Sequence, residues 1–153
     1  MTGQMKENSL SCIGSNGFSG GTLSLPDFRL KQEVLQGWQV EYNIPVLNWG
    51  DVDAFVRSPN GNCFTIDTKS HGKTVFFNGT RLMQRYGQRV FSFQNKDLLK
   101  AVREQAAEIQ KIKGIRYVIP MICFTNAELD IGTVDNLIEG VYVVKHESLI
   151  MGL

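Results

Sequence analysis

Residues 50–73, GDVDAFVRSPNGNCFTIDTKSHGK, constrain the fold more than any other stretch of the chain. Two short runs, Val52 to Arg57 and Asn62 to Lys69, read as strands, and Ser58-Pro59-Asn60-Gly61 between them is a strong hairpin signal. Yet these runs carry Asp53, Asp67 and Lys69. A half-buried strand keeps its charges on the wet face, and a carboxylate withdrawn from water costs on the order of 1 to 5 kcal/mol unless it is paired or bound to a metal. Alternation puts Asp67 and Lys69 on one face of their strand, with Ile66 and Thr68 on the other. In the preceding strand Val52, Ala54 and Val56 share one face and Asp51, Asp53 and Phe55 the other, so a tight hairpin brings Asp53 beside Asp67.

Two carboxylates meeting across a hairpin repel each other unless a cation sits between them. Mg²⁺, with Mn²⁺ as a substitute, suits such a place, because it takes a few hard carboxylate oxygens and leaves its other positions to water and phosphate. A lysine beside it could steady a water nucleophile or the charge building on a pentacoordinate phosphorus, as breaking a phosphodiester requires. Taken alone, D-x-K in a strand is more often a surface salt bridge. Asp53, fourteen residues upstream of Asp67 across a turn, is what draws the pattern toward a metal.

The rest of the chain supplies an α/β frame. Residues 14–21, GSNGFSGG, are too rich in glycine and serine for a helix or strand, which makes residues 1–24 a flexible lead and residues 25–153 a single domain. A short helix is expected from Asp27 to Gln36, ended by Gly37 and carrying Glu33. Strands are expected at Trp38–Leu47, Val52–Arg57 and Asn62–Lys69, with a further hairpin within residues 73–93 around Asn78-Gly79 and Tyr86-Gly87. From Asn95 to Lys113, Leu98, Val102, Ala106, Ile109 and Ile112 recur at helical spacing, with Asn95 as the cap and Gly114 as the stop. Ile115–Phe124 reads as a buried strand that Pro120 places at an edge or a bulge, and Val141–Val144 as a last strand. The order predicts a mixed central sheet flanked by helices.

Charge is unevenly distributed. The net charge is +1, but residues 69–116 hold 11 Lys/Arg against 3 Asp/Glu, while residues 1–68 hold 4 against 7 and residues 117–153 hold 1 against 5. A segment this basic marks either a polyanion-binding surface or a solvated basic helix face. The three cysteines, Cys12, Cys63 and Cys123, are widely spaced without a CxxC, which speaks for buried free thiols over disulfides or zinc. No apolar run reaches the ~20 residues that span a bilayer, and Met1–Leu10 lacks the pattern of a secretory signal, so a cytoplasmic protein is expected.

The stretch DVDAFVRSPNGNCFTIDTKSHGKT resembles the core of the nuclease-related domain (NERD) family of the PD-(D/E)XK nuclease superfamily. Similar matches run through AVREQAAEI at 101–109, VIPMICFTNAEL at 118–129 and EGVYVVKHESL at 139–149, in the same order and spacing. The resemblance implies a restriction-endonuclease-like α/β fold and Mg²⁺-dependent hydrolysis of DNA. It makes Asp53 and Asp67 metal ligands and Lys69 the catalytic lysine. Gln105 matches a glutamine on the family's second helix that faces the site, though a solvated helix glutamine would read the same. Arg103 beside it meets a phosphate or is plain helix surface.

The family's Gly-x-x-Gly-Glu is matched by Gly17-Phe18-Ser19-Gly20 followed by Gly21 instead of Glu. Glu33 is the nearby acid that could substitute, or else a solvated helix residue. The departure keeps a second reading open, a catalytically weakened module that binds nucleic acid or a partner. Lys73, Arg81, Arg85, Lys100 and Arg103 are the expected phosphate-tracking residues. His71 reads as a turn residue that could touch a phosphate, His146 as surface or capping, and Trp38, Trp49 and the phenylalanines as core. DNA is the expected partner, a helicase or other DNA-processing protein is a candidate one, and self-association is left open.

Overall fold

The computed structural model describes residues 37–133 and 135–145. The glycine-rich lead, the expected Asp27–Gln36 helix with Glu33, Cys12 and His146 lie outside these residues.

The acidic hairpin forms as its sequence demands. Strands β1 (Gln39–Val46), β2 (Gly50–Arg57) and β3 (Cys63–Lys69) run antiparallel in order. The β2–β3 turn is closed by bonds from Ser58 N to the Asn62 carbonyl at 2.8 Å and from Gly61 N to the Ser58 carbonyl at 2.9 Å. Gly61 adopts φ 89°, a conformation that glycine reaches without a Cβ clash. Strand β7 (Ile119–Phe124) then joins β3 in parallel, β10 (Val141–Lys145) joins β7 in parallel, and β9 (Leu137–Ile138) closes the sheet, giving the order β1-β2-β3-β7-β10-β9.

Residues 73–93 build more than one hairpin. Strands β4 (Thr74–Phe77), β5 (Leu82–Tyr86) and β6 (Arg89–Phe91), with β8 (Leu129–Asp130), make a second sheet ordered β6-β5-β4-β8. The β4–β5 turn is an Asx turn in which Asn78 Oδ1 accepts from Thr80 N at 2.8 Å and Arg81 N at 2.9 Å.

Among the described residues one helix, α1 (Leu98–Lys113), packs on the sheet. Its cap is Asp97 instead of the expected Asn95: Asp97 is extended and accepts from Lys100 N at 3.2 Å, whereas Asn95 has φ 59° in the preceding turn. Gly114, with φ 65°, ends it as expected. Leu98, Leu99, Val102, Ala106 and Ile109 are buried, but Ile112 is 58% exposed, because the last turn carries the apolar stripe past its packing partners. Full burial of a residue such as Leu99 or Ile109 contributes about 1.5 to 3 kcal/mol.

The helix side of the main sheet packs Ile122, Phe124 and Val143 against Leu98, Leu99 and Val102, while Ala54, Val56, Phe64, Ile66, Met121, Cys123 and Val144 gather with Trp38 in a separate cluster. Val52 departs from the expected alternation, joining Phe55, Ala106 and Ile109 in a third cluster. Strand β1 is irregular at this point: Asn43, which the register leaves opposite Asp53, has φ 56°. Cys63 and Cys123 are buried and in no disulfide.

Pro120 is neither an edge nor a bulge residue, since β7 lies between β3 and β10. It is tolerated there because pairing with β10 begins only at Met121, so its missing N–H falls before that ladder starts. Residues 115–118 precede β7 and are not strand. No described helix is long and apolar enough to cross a membrane.

Candidate active site

Asp53, Asp67 and Lys69 come together where the β2–β3 ladder ends. The last paired residues are Ala54 and Ile66, so the next step in register sets Asp53 across from Asp67. Both acids are buried, at 2% and 8% exposure, and their carboxyl groups are within hydrogen-bonding reach of each other. Lys69, two residues further along β3, places Nζ 3.1 Å from Asp67 Oδ2.

Thr68 was expected to point away, yet it belongs to the cluster. Past the end of the ladder its N–H donates to Asp53 Oδ2 at 2.7 Å, and its hydroxyl donates to the same oxygen at 2.8 Å. Strand alternation does not reveal this contact, because it depends on where the pairing stops.

Burial dominates the electrostatics. It raises the Asp53 pKa to about 6, the neighbouring Asp67 carboxylate adds to the rise, and the two Thr68 bonds and Lys69 oppose it. Asp67 is also pushed up by burial, against the pull of the Lys69 ammonium and the hydrogen bond with Asp53. One ammonium therefore does not compensate two ionised carboxylates here. A divalent cation would, and the chemistry of the donor set suits a hard one: two carboxyl groups, with further positions left for water and phosphate oxygens. Among the described residues no group of three or more His, Cys, Asp or Glu side chains is gathered as a metal site.

Gln105 is buried, which removes the solvated reading. Its Nε2 donates to the Trp49 carbonyl at 2.8 Å and ties α1 to the β1–β2 turn, at the same end of the sheet as Asp53. His71 stacks edge-on against Phe93 with ring centroids 4.9 Å apart, and its buried Nδ1 has no hydrogen-bond partner. Burial, then Lys69 and Lys73, lower its pKa, which disfavours a cationic imidazole at this place.

The five expected phosphate-tracking residues divide. Arg85 is paired with Asp130 at 2.9 Å and lies over the Phe76 ring, and Arg103 is paired with Glu139 at 3.5 Å. Lys73 extends over the Phe91 ring with Nζ 5.2 Å from its centroid. Arg81 stands at the β4–β5 turn and Lys100 is exposed in the first turn of α1. Trp38 is core as expected, but Phe91 is 37% exposed.

Fold and cluster together define a mixed α/β domain that gathers two carboxyl groups and an ammonium at one end of its main sheet. The family model described as nuclease-related domain (NERD) matches residues 25–125, and the chain belongs to that family. The match takes in the acidic hairpin and α1, and residues 139–149 lie beyond it. No curated protein and no solved structure matches the chain.

Proposed function

We propose that this nuclease-related domain is a restriction-endonuclease-like nuclease that hydrolyses DNA phosphodiester bonds with Mg²⁺, for which Mn²⁺ can substitute. The observation that carries the reading is the buried Asp53–Asp67 pair, both pKa values raised, with the Lys69 ammonium 3.1 Å from one of them. Such a group is costly to maintain as structure alone and suited to concentrating positive charge on a phosphate.

Asp53 and Asp67 would hold the metal, which when bound would activate water and neutralise phosphate charge. Thr68 fixes the Asp53 carboxyl through two bonds to one oxygen, which sets its orientation. Lys69 would place its ammonium against the nonbridging oxygens as charge builds on phosphorus. Burial removes competing water and strengthens each of these interactions.

A metal-dependent cleavage assay on single-stranded, duplex and branched DNAs tests the reading, with product in Mg²⁺ or Mn²⁺ and none in chelator as the expected result. Binding of DNA without cleavage in either metal would instead support the weakened module, which the Gly21 departure in the sequence favours.

A further inference from the structure

The β5–β6 hairpin carries features that the hydrolytic site does not use. β6 is an edge strand, and its register with β5 pairs Gln84 with Phe91, Arg85 with Val90, and Tyr86 with Arg89. Paired residues share a face and alternate along the strand, so Tyr86, Arg89, Gln84 and Phe91 lie on one side of the ribbon. Tyr86 is 71% and Phe91 37% exposed, and Arg89 is exposed as well. Lys73 adds its ammonium over the Phe91 ring on this side.

The charge on this face is one-sided. Further along this side Val75, Leu82 and Gln84 are buried and Phe77 and Leu129 pack on the core, so only the β5–β6 end, with Tyr86, Arg89 and Phe91, is open to solvent; that end holds no acid, whereas Asp130, in register with Phe76, neutralises Arg85 on the opposite face. The second sheet is tied closely to the candidate active site along the chain, since four residues, Ser70 to Lys73, join Lys69 to β4. Lys69 and Lys73 both act on the His71 between them, and His71 packs on the Phe93 that follows β6.

We propose that Tyr86 and Phe91 form a stacking platform for unpaired bases of a single-stranded nucleic acid, with Lys73 and Arg89 holding its phosphates. Exposed aromatic rings interleaved with cations are the means by which proteins hold single strands without reading sequence, and a duplex keeps its base faces covered. The open end of this face sets Lys73 and Arg89 beside its two rings, the charge and the apolar surface that a phosphate backbone and its unpaired bases complement. The role of the bound strand, a single-stranded region led to the Asp53–Asp67–Lys69 cluster, rests on the nuclease reading. The binding does not.

Anisotropy of a labelled short oligothymidylate, measured in EDTA with the full chain, is the test, and a blunt duplex is the comparison. Tyr86→Ala and Phe91→Ala should each weaken oligothymidylate binding at least about fivefold, with a smaller effect on the duplex, and Tyr86→Phe should retain it. The salt slope should be unchanged in the aromatic variants and should fall by about 0.7 in Arg89→Ala. Tyr86 is exposed enough that its substitution does not threaten the fold, and a circular dichroism melt checks this.

Wild-type affinity in both alanine variants overturns the platform, as does equal loss on single strand and duplex. Self-association that the same variants abolish would make the face a contact between copies. A chain that binds through Tyr86 and Phe91 but cleaves nothing in Mg²⁺ or Mn²⁺ refutes the nuclease reading alone. Cleavage by a chain whose aromatic variants bind normally refutes the platform alone.

Discussion

Thr68 donates both its backbone N–H and its hydroxyl to a single oxygen of Asp53, at 2.7 and 2.8 Å. The contact converts a strand end into a holder for a buried carboxyl group. Asp53→Asn keeps an acceptor for Thr68 and removes the charge, so it should preserve the fold, abolish Mn²⁺ binding in calorimetric titration, and raise the melting temperature of the metal-free protein at neutral pH. Asp67→Ala should lose the metal as well. Unchanged affinity in both variants would exclude the assigned ligands.

The raised carboxyl pKa predicts an inverted acid response. Asp53 holds its proton more tightly in the folded protein than at its ordinary 3.8, so between that value and about 6 the native state binds more protons than the unfolded chain. Stability of the metal-free protein should therefore fall as pH rises through this window, by up to about 3 kcal/mol. Melting in EDTA across the window tests it, and added Mn²⁺ should restore the loss above it by binding only the folded state. Thr68→Val removes one bond to the ionised form and should move the transition to higher pH.

On the nuclease reading Lys69→Ala should reduce cleavage by ~10² to 10³, because the ammonium would act on the reacting phosphate. Metal binding should persist, though shifted to higher pH, since the ammonium also favours ionised Asp67. Single-turnover cleavage with saturating Mn²⁺ separates the two effects. Near-normal turnover would remove the lysine from the mechanism.

Affinity for duplex DNA should fall by roughly 0.9 log units per log unit of salt for every phosphate contact. A triple Lys73, Arg81 and Arg103 alanine variant should lower that slope, mainly through Lys73 and Arg81, since Arg103 already has Glu139 as a partner. Lys111 is a suitable control. It lies in the last turn of α1, near the end where residues 115–117 and 119 line one cleft with Asn62 and Cys63 at the start of β3, opposite the Lys69 end. An unaltered slope in the triple variant would leave the basic segment as a solvated face.

Much of the main sheet was legible because its signals are local. The Ser58–Gly61 turn, the alternation that pairs Asp67 with Lys69, and the stop at Gly114 each depend on a few neighbouring residues. What was not legible depends on context beyond the element. Asn95 and Asp97 are both good caps, and the choice was made by the preceding turn. Pro120 suggested an edge because nothing local shows where the β10 ladder starts. Thr68 was hidden by the premature end of the β2–β3 pairing. The exposure of Tyr86 and Phe91 follows from a second sheet that projects its β6 edge, an arrangement of several strands that no single run encodes.

The order of the sheet has a consequence for how the domain assembles. Asp53 and Asp67 belong to a short hairpin, so they can meet early, while water still surrounds them. β7 reaches β3 only across a long connection, pairing Phe64 with Ile119, and contacts of such separation form slowly. Its insertion beside Asp67 should be the step that dries the pair. The barrier to that step should depend on whether one carboxyl has taken up a proton or the pair has taken up a cation. Acid and divalent metal should then both hasten refolding, which makes the site a gate on the chain's own folding as well as the place where it would do its chemistry.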